Sequence, residues 1–125
     1  MAKKKLKHNS ESLSEIIIKG IQEKKGKDIV SINLQNIHGA ISDFFIICHG
    51  TSSTQVEAIA NSVDMVVKKT TGQNPTHTEG YQNAEWILLD YFDVVVHIFN
   101  EDARRFYQLE KLWADAEIKQ IASEN

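Results

Sequence analysis

Three groups of side chains in this sequence have the types and spacing to do chemistry. Asp43, Asp90 and Asp93 each border an apolar run, and carboxylates converging on one face are what two-metal phosphoryl transfer needs. Asp90 and Asp93 are three residues apart, however, so within one strand they would face opposite ways. Flanking a hairpin turn, they would instead cap its free backbone groups. Asp43 follows Ser42 and reads most simply as a turn residue opening a strand. The second group, Gly50-Thr51-Ser52-Ser53, runs into a helical pattern. A helix start offers unpaired N–H groups to an anion. Yet the loop has neither a Walker lysine nor Gly-x-Gly-x-x-Gly spacing, and Ser52 with Gln55 also reads as a capping box. The third group is Cys48 with a histidine, a nucleophile and its base. Cys48 lies inside an apolar run, where a thiol behaves as a small hydrophobe. The five histidines, His8, His38, His49, His77 and His97, lack ligand spacing such as i, i+4 on a helix. No catalytic residue, metal site or cofactor is therefore expected.

Periodicity outlines the elements that would carry these residues. Leu13, Ile16, Ile17 and Ile21 share one helical face, which predicts a helix from about Ser12 to Lys25. Ser12 with Glu15 would form its capping box and Gly26 its left-handed cap. Asp28 to Leu34 alternates like a strand, and Asn36 to Gly39 is a turn. Ile41 to Cys48 is a continuous apolar run suited to a strand covered on both faces. Val56, Ile59, Ala60, Val63, Val66, Val67 and Thr70 then mark the cleanest helix, stopped at Gly72. Pro75 opens an extended connection. Ala84–Leu89 and Val94–Phe99 read as a hairpin turning at Asp90-Tyr91-Phe92-Asp93. Phe106, Leu109, Leu112, Trp113 and Ala116 fit one apolar face of a final helix, with Arg104 and Arg105 outside. The fold class is α/β, a mixed sheet of about five strands with packed helices. Residues 1–10 are expected to be a disordered basic tail, 11–117 a single domain, and 118–125 a frayed C-terminal tail.

Bulk properties narrow the function classes. A chain of 125 residues, 42% hydrophobic, can bury one core without covalent staples. A net charge of −3 argues against a non-specific nucleic-acid binder and is compatible with a basic protein partner. One cysteine and no spanning apolar run fit a soluble cytoplasmic protein with no membrane partner.

Alternation in the first hairpin strand puts Trp86, Leu88 and Asp90 on one face, with Glu85, Ile87 and Leu89 on the other. Both faces carry apolar side chains, so the Trp86 face is either core or a surface for a partner. His97, in the apolar partner strand, fits a hydrogen-bonded, half-buried histidine.

A resemblance decides between these readings. Ser42-Asp43-Phe44-Phe45, Gly50-Thr51-Ser52-Ser53, Gln55-Val56 and Ile59-Ala60 are in the order found in the ribosomal silencing factors, the Iojap-like family. Glu79-Gly80, Ala84, Trp86, Leu88-Leu89-Asp90-Tyr91, Asp93-Val94-Val95-Val96-His97, Arg105-Phe106-Tyr107, Leu109-Glu110 and Leu112-Trp113 continue the match, which spans roughly Leu13 to Ala116. The resemblance implies a nucleotidyltransferase-like fold without that enzymatic activity. It implies binding to the large ribosomal subunit through ribosomal protein fourteen, which obstructs subunit joining under nutrient limitation. Large-subunit assembly is the alternative, and a residual magnesium-dependent nucleotidyltransferase the weaker one. On this resemblance the partner-binding residues are Trp86 as anchor, Leu88 beside it, Asp90 as acceptor for a basic residue, and Tyr91. A homodimer through the apolar strand face is also compatible, and no sequence-specific nucleic-acid partner is implied. The family usually carries glycine where this chain has Phe92, so a type I or lengthened turn is expected here.

Overall fold

The computed structural model describes residues 9–122. The lysine-rich segment expected to be a tail therefore lies outside the described residues except for its end, Asn9 and Ser10. Those two residues start α1, Ser10–Glu23, because the Asn9 side chain accepts the Ser12 N–H at 2.7 Å. An asparagine cap three residues upstream thus replaces the expected Ser12–Glu15 box. At the other end Lys25, not Gly26, takes the left-handed conformation, with φ 59°. Gly26 is required for a different reason: a Cβ there would strike the Ile21 side chain.

Six strands form one sheet: β1 Lys27–Asn33, β2 Phe44–Gly50, β3 His77–Glu79, β4 Trp86–Asp90, β5 Val94–Asn100 and β6 Glu117–Ile121. Their order across the sheet is β3-β4-β5-β2-β1-β6. β2 runs parallel to β5, and the other neighbouring pairs are antiparallel. The parallel pair needs a crossover, which begins with α2, Ser53–Thr71. α2 starts and stops where its sequence pattern predicts: the Ser52 hydroxyl accepts the Gln55 N–H, and Gly72 ends it at φ 78°.

α1 and α2 cover one face of the sheet. Leu13, Ile17 and Ile21 from α1 and Val56, Ile59, Ala60, Val63 and Val67 from α2 pack on Ile46, Cys48, Ile87, Leu89, Val94, Val96 and Ile98. The helices cross closely at Gly20, whose carbonyl accepts the Ser62 hydroxyl at 2.8 Å.

The C-terminal region departs from expectation. The single helix predicted through Ala116 is broken: α3, Glu101–Tyr107, ends at Gln108 in the left-handed region (φ 47°), and a 3-10 turn, Leu109–Trp113, follows. Residues 117–121, placed at and beyond the edge of a frayed tail, form β6 along β1. Ile121 there packs, partly buried, against the helix-side core, while Ile118 pairs with Ile32 and stays exposed.

The hairpin tip keeps a glycine-like conformation without glycine. Phe92 has φ 74°, and the Asp93 N–H donates to the Tyr91 carbonyl at 2.9 Å, closing a γ-turn rather than a type I or lengthened turn. The Asp90 carboxylate accepts the Phe92 N–H at 2.8 Å and holds that geometry.

A candidate partner surface on the open face of the sheet

Among the described residues no long helix covers the second face of the sheet. Val30, Ile32, Leu34, Ile47 and Phe99 form its buried centre, and α3 with the 3-10 turn covers only part of it. Pairing in the β4–β5 hairpin sets Trp86 opposite Phe99, Leu88 opposite His97 and Asp90 opposite Val95. Strand alternation then presents Trp86 and Leu88 on this face, both half-buried.

Trp86 is held firmly. Its ring lies 4.8 Å from Phe99 and 4.8 Å from Tyr107, spacings typical of attractive aromatic pairs. Its indole N–H donates to His97 Nδ1 at 3.1 Å. Beneath it, Gly80 (φ 91°) presses against the Trp86 carbonyl so closely that any Cβ would collide with it. The Glu79-Gly80 motif therefore fixes the β4 backbone from behind.

His97 is buried, and burial lowers its pKa to about 4. It is neutral near pH 7, and because Nδ1 accepts from Trp86 the proton resides on Nε2. Among the described residues that buried Nε2–H has no acceptor, and neither has the Trp113 indole N–H nearby. Phe45 links the two residues, 4.7 Å from the His97 ring and 5.6 Å edge-on from Trp113.

Of the four residues assigned to the surface, Trp86 and Leu88 lie together on it. Asp90 shares their face, but one of its oxygens is committed to the hairpin turn. Tyr91 is elsewhere: it is 5% exposed within the helix-side core, and burial pushes its phenol pKa up.

Sequence reasoning missed the outer side of the C-terminal segment. Phe106 is 79% exposed, Leu112 72% and Tyr107 52%. Phe106 packs edge-on against Tyr107, which touches Trp86, so the apolar surface continues from the strand onto α3. No local signal marked it, because Phe106, Leu109, Leu112 and Trp113 fit one helical stripe and the chain breaks at Gln108 instead.

Arg104, expected outside, clasps this segment to the sheet. Its guanidinium binds Glu110 at 2.7 and 3.1 Å, His49 Nδ1 at 3.0 Å and the Lys27 carbonyl at 3.4 Å. Its side chain is only 10% exposed. Burial first, and then Arg104, lowers the His49 pKa; neutral His49 can accept the Arg104 N–H.

The groups first considered for chemistry have structural work. Thr51 donates its N–H and hydroxyl to Gln55 Oε1, so the loop before α2 closes on itself. Cys48 is fully buried, and burial pushes its thiol pKa up to about 12. The Asp93 carbonyl accepts the N–H groups of Asp43 and Phe44, fixing the start of β2. Among the described residues no group of three or more His, Cys, Asp or Glu side chains is placed to hold a metal ion. No described helix is long and apolar enough to cross a membrane.

The family model for ribosomal silencing factor during starvation matches residues 7–125. The chain belongs to the ribosomal silencing factor family. A ribosomal silencing factor of Halalkalibacterium halodurans is 42% identical over 86% of this chain and 91% of its own. A crystal structure of a protein from Chromobacterium violaceum superposes with a TM-score of 0.80 at 33% identity, covering 85% of this chain and 87% of that one. A more distant mouse relative, called mitochondrial assembly of ribosomal large subunit protein 1, is 25% identical over 88% of this chain and 50% of its own. Within the silencing-factor framework, the motifs Glu79-Gly80, Trp86 and His97 converge on one aromatic face.

Proposed function

We propose that this protein is a non-enzymatic repressor of translation. It binds the large ribosomal subunit through ribosomal protein fourteen and blocks joining with the small subunit, chiefly when nutrients are scarce. Family membership supports the ribosomal reading. The observation that carries the mechanism is the Trp86–Leu88 strand face, an apolar surface that the fold leaves open and α3 extends. Tryptophan and tyrosine are the side chains that most often anchor interfaces.

The surface also has the charge to select a basic partner. Glu79, paired opposite Leu88, is exposed, Asp90 lies half-exposed on its face, and the whole chain carries −3. Carboxylates around an apolar centre favour encounter with a lysine- or arginine-rich surface and disfavour acidic ones. No bond need be made or broken: a domain seated where the small subunit must dock competes with it by mass action.

The test is gradient sedimentation of purified protein with separated subunits, followed by magnesium to drive joining. Co-migration with the large subunit and fewer joined ribosomes are expected. Protein left at the top of the gradient with normal joining would overturn the reading. The name of the mouse relative favours a second reading, a role in large-subunit assembly. Immature large subunits accumulating on deletion in rich medium would distinguish it.

A further inference from the structure

A cavity of about 650 Å³ lies at the end of the sheet where β2 and β5 finish. These neighbouring parallel strands send the chain to opposite faces: β2 leads into α2 on one, and β5 into α3 on the other. In α/β sheets a crevice opens where connections diverge in this way, and ligands bind there. The volume is that of a small-molecule site. Three cations line it, Arg104, Arg105 and Lys111, with three carboxylates, Asp28, Glu101 and Glu110. Two of each are matched, Arg104 with Glu110 at 2.7 Å and Arg105 with Glu101 at 3.5 Å. Lys111 and Asp28 join no ion pair among the described residues. The cavity therefore keeps one uncommitted positive group and one uncommitted negative group. Two donors add to the positive side. Arg104, nine-tenths buried, spends one Nη2 hydrogen on Glu110 and keeps the other. His49 is buried and accepts from Arg104 through Nδ1, so its proton is on Nε2, where it has no acceptor among the described residues.

We propose that this cavity binds a small zwitterion of the amino-acid class, its carboxylate held by Lys111, Arg104 and His49 and its ammonium by Asp28. A simple anion would satisfy the donors but meet the Asp28 carboxylate, and a simple cation would meet Lys111; like charges repel. A ligand carrying both charges answers both groups, and its own charges cancel, as do those of the lining. A carboxylate has two oxygens to share among several N–H donors. The Arg104 guanidinium is already fixed by Glu110, His49 and the Lys27 carbonyl, so little side-chain freedom is lost on binding. Ile29, Val30 and Ile121 give an apolar wall for the side chain of the ligand. Asp28 and Gln108 both border the cavity at φ 47°, and such backbone strain gathers at ligand sites. Neither Trp86 nor Leu88 lines the cavity, so the site is separate from the aromatic face and stands whether or not the ribosomal reading holds.

Calorimetric titration of the full-length chain with each common amino acid in turn, and with inorganic phosphate, tests the site. At least one amino acid should bind with a dissociation constant of about 1 mM or tighter. Its des-amino acid and its decarboxylated amine should each bind about tenfold more weakly, the effect of losing one charge-assisted hydrogen bond. Asp28→Asn keeps a residue type that tolerates the left-handed backbone. It should weaken the amino acid by about tenfold while the des-amino acid binds at least as tightly as to the wild type. Lys111→Gln should weaken the amino acid and the des-amino acid alike, by about tenfold, and spare the amine. No binding by any amino acid, phosphate binding tighter than every amino acid, or affinity unchanged in both variants overturns the proposal. Circular dichroism of each variant confirms that the comparison is between folded chains.

Discussion

His97 makes the stability of this fold depend on pH in a calculable way. Its imidazole is 4% exposed, its Nδ1 holds the Trp86 indole, and burial lowers its pKa from 6.5 to about 4. Between those values the unfolded chain takes up a proton that the folded chain refuses. Unfolding then binds protons, so stability rises with pH in that window. The contribution is complete above about pH 6.5 and is lost as pH falls toward about 4. At ~1.36 kcal/mol per pH unit, the loss reaches about 2 kcal/mol at pH 5 and about 3 kcal/mol at pH 4. Carboxylates and His49 also titrate, so the comparison is with His97→Phe, which keeps a flat ring and removes the charge. Urea unfolding of both chains at pH 7, 6 and 5 gives the difference directly. The wild type should lose about 2 kcal/mol more than the variant over that range. Parallel losses in the two chains, or an NMR titration of His97 near 6.5, would refute the reasoning. Protonation also removes the acceptor for Trp86, so indole fluorescence should report the same transition.

Trp86→Ala should weaken large-subunit binding by about 30-fold, as expected for an interfacial tryptophan worth ~2 kcal/mol; pelleting with subunits measures it. Leu88→Asp should weaken binding similarly, and unchanged pelleting by both variants would remove this face from the interface. Gly80→Ala should cost about 2 kcal/mol or more in urea, because a left-handed conformation and a collision with the Trp86 carbonyl coincide there. Arg104→Ala should cost about 2 kcal/mol and raise hydrogen exchange from Glu101 to Trp113, while leaving β2 and β5 protected.

The sequence revealed best the elements whose signals are local and redundant. α2 has a serine cap, an unbroken helical stripe and a terminal glycine, and all three agree with the structure. The hairpin was legible because two apolar runs flank a turn bounded by Asp90 and Asp93. β6 was not, since Glu-Ile-Lys-Gln-Ile has no strong pattern of its own and its strand state is imposed by the open edge of β1. The break at Gln108 was hidden for the opposite reason. The apolar spacing from Phe106 to Ala116 fits a helix, but the Arg104–Glu110 clasp pulls the chain round a left-handed corner. Tyr91 follows the end of β4 at Asp90, and the turn directs its side chain into the opposite core. Phe92 holds a positive φ of the kind glycine adopts freely, here stabilised by the Asp90 side chain.

The parallel pairing of β2 with β5 also constrains how this chain folds. Phe44 meets Val94 and Gly50 meets Asn100, contacts fifty residues apart in sequence. β1 and β6 are still farther apart, Ile29 meeting Ile121. Closing such loops costs entropy before any contact compensates it. The two antiparallel neighbours β1–β2 and β4–β5 can each form early from nearby residues, as half-sheets with α1 and α2 collapsing onto them. The slow step is then their docking edge to edge along β2 and β5, which places the folding barrier at the centre of the sheet.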